Sequence, residues 1–105
     1  MSKNLRRPLF CLLLSLIGQV NAQNVGIGTA TPNSSAKLQI ESTNSGLLIP
    51  RVALVAINNG TSPVNTPATG VLVYNTNAAV TNGQGTGFYF WNGTVWEKLG
   101  FEGNE

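Results

Sequence analysis

The stretch GFYFWNGTVWEKL, residues 87–99, decides the fold class of this chain of 105 residues. Two runs rich in aromatic and β-branched residues flank Asn92-Gly93, a dipeptide that favours the two-residue turn of a β-hairpin. Such a turn also fixes the register of the two strands. It predicts these facing pairs: Trp91 with Thr94, Phe90 with Val95, Tyr89 with Trp96, and Phe88 with Glu97.

Both faces of the predicted hairpin are apolar. Side chains alternate along a strand, so every second residue lies on the same face. One face carries Tyr89, Trp91 and Trp96, and the other carries Phe88, Phe90 and Val95. Because an antiparallel sheet commonly exposes one polar face to water, we expect the second apolar face to contact more core, another subunit or a ligand.

The rings of Tyr89, Trp91 and Trp96 form the candidate site. On an exposed face they could stack on a sugar or anchor a protein partner. On a covered face they would be ordinary core or a subunit interface. Large apolar side chains are usually buried, which favours the second interpretation and leaves glycan binding as the alternative.

The rest of the chain also reads as short strands separated by Gly, Asn, Pro, Ser and Thr. Residues 36–42 alternate between apolar and polar side chains, residues 71–75 have the composition of a strand, and Pro50 indicates a sheet edge or a bend. Residues 52–58 fit either a strand or a short helix. The sequence therefore predicts a mainly β fold, a small antiparallel meander that ends in the hairpin, with one short helix left open.

The first residues have the pattern of a secretory signal peptide. Lys3, Arg6 and Arg7 precede an apolar run at residues 9–17. That run is much shorter than the roughly 20 residues of a membrane-spanning helix. We predict cleavage between Ala22 and Gln23, export to the cell surface or the medium, and no membrane attachment afterwards.

The predicted domains follow from these boundaries. Residues 1–22 are the signal peptide, residues 23–35 an extended or flexible segment, residues 36–100 the β domain, and residues 101–105 a polar tail. The Gly26-x-Gly28 pair in the second segment lacks the third glycine and the flanking strand and helix of a dinucleotide-binding loop. We therefore predict no cofactor.

The composition after cleavage excludes several function classes. Residues 23–105 keep three basic and four acidic residues, and they contain no Cys, His or Asp. Nucleic-acid binding needs clustered Lys and Arg, and zinc and calcium sites draw mainly on the missing residue types. An enzyme would need Glu41 and Glu97 to converge, which no spacing supports, so the prediction is a non-enzyme.

The small size of the domain favours self-association. A domain of about 60 residues buries only about 60% of its unfolded surface, and this one has no disulfide to stabilise it. Arg51, which directly follows Pro50, is interpreted as a solvated residue or as an ion-pair partner at an interface.

Three segments in order carry a resemblance to a known group: NVGIGTATPNSSAKLQIES, GLLIPRVAL, and ATGVLVYNT followed by GFYFWNGTVWEKLG. The chain resembles secreted surface proteins of Bacteroidetes-type bacteria, which are similar to phage tail-fibre segments. The resemblance implies an extracellular structural or adhesive module that is not an enzyme. It also implies assembly into a homo-oligomer, with a trimer favoured, or with other subunits of a surface fibre.

Overall fold

The computed structural model describes residues 24–100, and the chain divides into two compact units, residues 1–46 and 47–105. The predicted signal peptide with its cleavage site at Ala22 and Gln23, and the polar tail at 101–105, lie outside the described residues. The division after Gly46 places residues 36–46 with the N-terminal unit.

The N-terminal unit contains two short parallel strands, β1 (Val25–Ile27) and β2 (Leu38–Ile40). The strand predicted at 36–42 is therefore present, but its partner is the segment predicted to be extended. Gly28 follows β1 with φ of 79°, and a Cβ there would overlap the carbonyl oxygen of Glu41. A positive φ and this close approach both require glycine, so Gly28 has a role in the backbone geometry.

The second unit is a four-stranded sheet in the order β3-β4-β5-β6. Its strands are β3 (Arg51–Val52), β4 (Leu72–Asn75), β5 (Gly87–Trp91) and β6 (Trp96–Lys98). The strands β4, β5 and β6 are antiparallel neighbours, as a meander requires, while β3 pairs with β4 in parallel. The predicted mainly β fold is confirmed, and β3 is an edge strand that begins directly after Pro50.

Residues 52–58 form neither of the two predicted elements beyond Val52, the last residue of β3. The described residues contain no helix. After β3, Leu54 is fully buried and Ala56 makes an isolated parallel bridge to Thr81. Residues 53–58, here called the lid segment, are held against the core by backbone hydrogen bonds from Ile57 to Thr81 and from Trp96 to Ile57.

The predicted register of the hairpin is wrong by two residues. The observed pairs are Trp91 with Trp96, Phe90 with Glu97, and Tyr89 with Lys98. The turn is longer than two residues because the Asn92 side chain organises it: its Oδ1 accepts hydrogen bonds from the backbone N–H of Thr94 at 2.8 Å and of Val95 at 2.9 Å. Asn commonly bonds backbone N–H groups in this way.

A shift of two residues keeps the face assignment, because side chains alternate with a period of two. Tyr89, Trp91 and Trp96 do share one face of the sheet, which we call the inner face. The buried apolar core lies on this side. It consists of Leu54, Val73, Val80, Tyr89, Trp91 and Trp96.

Candidate functional site

The rings of the predicted site lie inside the chain's own core. Tyr89 and Trp96 are each 1% exposed and Trp91 is 8% exposed. The two indole rings meet edge to face with centroids 5.3 Å apart, a favourable arrangement for aromatic pairs. The loops that precede β4 and β5 cover these rings on the inner face, so in this chain the cluster does not form an open platform for a sugar.

The polar atoms of Tyr89 and Trp96 are paired within the chain. The Tyr89 hydroxyl donates to the carbonyl oxygen of Gly85 at 2.7 Å and accepts from the N–H of Gln84 at 3.0 Å. The Trp96 Nε1–H donates to the carbonyl oxygen of Asn59 at 3.3 Å. Because buried polar groups must be hydrogen-bonded, these bonds fix the loops onto the inner face.

Sequence reasoning missed the polar centre of the same core, Asn75, which is fully buried at the end of β4. Its Oδ1 accepts from the N–H groups of Leu54 and Asn77, both at 2.9 Å. Its Nδ2 donates to the carbonyl oxygens of Asn77 and Gly85, also at 2.9 Å. One amide side chain thus joins β4 to the lid segment and to the loop before β5. The only signal in the sequence is an Asn that directly follows the apolar run VLVY.

The opposite side of the sheet is apolar and open. This outer face consists of Leu72, Tyr74, Phe88 and Phe90, which face one another in adjacent strands. Leu72 is 40% exposed and Phe88 is 45% exposed. The rings of Tyr74 and Phe88 meet edge to face at 5.2 Å. No segment of residues 47–100 covers the outer face as the loops cover the inner one.

The apolar surface continues beyond the strands. Leu47 and Leu48 are 66% and 70% exposed. Together with neighbouring residues of the sheet they line a groove of about 340 Å³. Its walls are Leu47, Leu48, Ile49, Arg51, Tyr74 and Phe88. Monomeric proteins rarely expose a continuous apolar patch unless it is a contact surface, so this face is the candidate functional site.

The comparison with protein families indicates that the contact is one between copies of the chain. Residues 26–104 match the family model described as phage tail like trimerisation region. The chain belongs to the phage tail like trimerisation region family. Comparisons with curated proteins and with solved structures gave no significant match.

Membership in the trimerisation region family confirms the predicted likeness to phage tail-fibre segments. It supports a structural, self-associating role and a homo-oligomer, and the match covers the described residues of both units from Gly26 onward. The outer face of this trimerisation region is an apolar surface of the kind found at interfaces between identical chains.

The N-terminal unit of the trimerisation region also exposes apolar side chains. Val25, Ile27 and Leu38 are between 49% and 54% exposed. They lie on a pair of parallel strands three residues long. An isolated two-stranded sheet is marginally stable in water, and parallel strands are normally covered on both sides. We therefore expect this unit, too, to need contacts with neighbouring chains for its stability.

The two glutamates of residues 24–100 are each hydrogen-bonded to a neighbouring amide side chain. Glu97 accepts a long hydrogen bond from Asn92 at 3.4 Å, and Glu41 accepts one from Gln39 at 3.0 Å. Within residues 24–100 no group of three or more His, Cys, Asp or Glu side chains could hold a metal ion. The same residues include no apolar helix of membrane-spanning length. Family membership points to a structural role, in agreement with the predicted non-enzyme.

Proposed function

We propose that the chain is an exported trimerisation module that builds a fibre-like structure outside the cytoplasm, with a structural or adhesive role at a bacterial surface of the Bacteroidetes type. Three copies associate through the outer face of the sheet. One observation carries the proposal: the chain belongs to a trimerisation family, and its sheet is covered on the inner face and exposed on the outer face.

Energetics support association as the means by which this fold becomes stable. The core of the second unit has six buried apolar side chains. Residues 23–105 contain no cysteine that could form a disulfide. Small scaffolds of this kind depend on disulfides, metals or oligomerisation. Covering Leu72, Phe88 and their neighbours would remove apolar surface from water at about 25 cal/mol per Å², which adds a second core between the chains.

Mass spectrometry of the chain, produced with its own N-terminal segment in a bacterium able to export it, tests both parts of the proposal. Under denaturing conditions, the exported chain should have the mass of residues 23–105, because the signal peptide is removed after Ala22. Under native conditions, the main species should have the mass of three chains. A native species of one chain at tens of micromolar would contradict trimerisation, and an uncleaved chain in the cytoplasm would contradict export.

A glycan-binding role for the same chain would have to use other residues than the ones predicted. Tyr89, Trp91 and Trp96 are buried, and the polar atoms of Tyr89 and Trp96 are bonded to the chain's own backbone. No described contact favours a sugar over the core packing, so we do not adopt the alternative as a second function.

A further inference from the structure

The outer face carries one charge of each sign, at opposite edges of the sheet. Arg51 faces Tyr74 across β3 and β4, and Glu97 faces Phe90 across β5 and β6. Directly facing residues project to the same side of a sheet. Both charges therefore lie on the outer face, and the strand order places β3 and β6 at the two edges.

Among residues 24–100, neither charge has a close side-chain partner. Arg51 is exposed and makes no side-chain hydrogen bond or ion pair with any residue between 24 and 100. Glu97 is exposed and accepts only the long bond from Asn92 Nδ2 at 3.4 Å. The remaining charge of the sheet, Lys98, belongs to the inner face, where its Nζ donates to the carbonyl oxygen of Gln84 at 3.1 Å.

Apolar side chains fill the space between the two edges. One row across the sheet runs from Arg51 through Tyr74 and Phe88 to Leu99, whose N–H donates to the carbonyl oxygen of Phe88 at 2.8 Å. The next row contains Leu72, Phe90 and Glu97. Leu99 is 54% exposed. The outer face thus has a basic edge at Arg51, an apolar middle, and a second edge formed by Glu97 and Leu99.

A closed ring of three copies joins the two different edges of such a face. A two-fold contact brings identical patches together, whereas a three-fold ring is heterologous, so that one edge of each copy meets the opposite edge of the next. A two-fold contact through the Arg51 edge would bring two cations together. In a three-fold ring every Arg51 edge meets a Glu97 edge.

The dimensions agree with three sheets arranged as the sides of a prism. Four strands spaced about 4.8 Å apart span roughly 14 Å between the edge strands, and one further spacing between neighbouring copies gives a prism side of roughly 19 Å. The axis of a triangular prism with sides of that width lies roughly 5.5 Å from each side. Packed sheets are about 10 Å apart, so each contributes side chains to a depth of about 5 Å. The outer faces would therefore fill the centre of the prism.

We propose, on the basis of the trimer advanced above, that each Arg51 forms an ion pair with Glu97 of the next copy, and that Leu99 of that copy enters the groove beside Arg51. The two charges are one row apart along the strands. Long side chains reach diagonal neighbours at about 7–8 Å in a sheet, so Arg51 can span this offset. The partner that fits the outer face is a second copy of this chain.

Charge reversal tests the pairing, with the dissociation of the trimer measured by analytical ultracentrifugation. Arg51→Glu and Glu97→Arg should each raise the concentration at which half of the trimer dissociates by on the order of tenfold, because three edge pairs are lost at once. The double variant, Arg51→Glu with Glu97→Arg, should return to within about threefold of wild type. Adding salt should weaken the wild-type trimer.

Lys98→Glu is the matched control. It changes the net charge as Arg51→Glu does and lies next to Glu97, but on the inner face. It should leave trimer dissociation close to wild type. Circular dichroism verifies the fold of each variant, and Arg51→Ala with Glu97→Ala replaces the reversals in the cycle if either reversal fails to fold.

The outcomes separate the pairing from trimerisation itself. A wild-type chain that stays monomeric overturns the proposed function. A wild-type trimer in which the single reversals behave like Lys98→Glu, or in which the double variant stays as weak as the singles, overturns the pairing and leaves trimerisation intact.

Discussion

Trp96→Ala is expected to unfold the four-stranded unit, with a loss of about 3–5 kcal/mol in the free energy of unfolding. The indole is 1% exposed, packs edge to face on Trp91 with centroids 5.3 Å apart, and donates to the carbonyl oxygen of Asn59. Removing it leaves a cavity and an unpaired carbonyl together. A loss of this size is comparable to the whole stability of a small domain.

Urea unfolding monitored by circular dichroism, at one fixed protein concentration, measures this loss. The control is Val55→Ala, because Val55 is 52% exposed and lies outside the four strands. The control should change the free energy of unfolding by less than about 0.5 kcal/mol. If Trp96→Ala kept the wild-type spectrum and stability while retention on immobilised glycans was lost, the ring would be a binding platform and its assignment to the core would fail.

Asn75→Leu should be at least as damaging, although leucine is similar in size and more hydrophobic. The substitution leaves three backbone groups without their partner: the N–H groups of Leu54 and Asn77 and the carbonyl of Asn77. The carbonyl of Gly85 also loses its bond to Asn75 but keeps the one from the Tyr89 hydroxyl. Each buried unsatisfied group costs about 1–3 kcal/mol. We expect a loss of at least about 3 kcal/mol, a large part of the stability of a small domain.

Two comparison variants make the Asn75 result specific. Asn75→Asp keeps the shape and the acceptor but replaces the donor that Gly85 and Asn77 need, so it should also destabilise the unit strongly. Asn58→Leu makes the same change at an exposed position and should shift the urea midpoint little. If Asn75→Leu unfolded at the urea concentration of Asn58→Leu, the amide would not be the polar centre of this core.

The parts of the fold with local signals could be predicted from the sequence. Aromatic and apolar runs on either side of Asn92-Gly93 predict the hairpin at residues 87–99. Because side chains alternate with a period of two, a register error of two residues still places Tyr89, Trp91 and Trp96 on one face. The register itself failed because the Asn92 side chain bonds two backbone N–H groups and builds a longer turn.

The parts that depend on distant partners could not be predicted. The parallel pairs β1-β2 and β3-β4 join segments separated by long connections, and parallel pairing has no turn that would mark it in the sequence. The fourfold bonding of Asn75 likewise depends on loops whose positions are set by the whole sheet. The sequence indicates that both faces of the hairpin are apolar. Which face is exposed depends on the loops, and these cover the inner face and leave Leu72 and Phe88 of the outer face exposed.

The dependence of thermal unfolding on protein concentration tests the central claim most directly, namely that copies of this chain stabilise one another through the outer face. For a trimer that dissociates as it unfolds, a hundredfold increase in concentration adds roughly 2 kcal/mol of stability per chain. That corresponds to a rise of roughly 10 °C in the midpoint. Phe88→Asn, which places a polar group on the outer face where Phe88 is 45% exposed, should remove most of this rise. A wild-type midpoint that is the same across the hundredfold range would contradict the account.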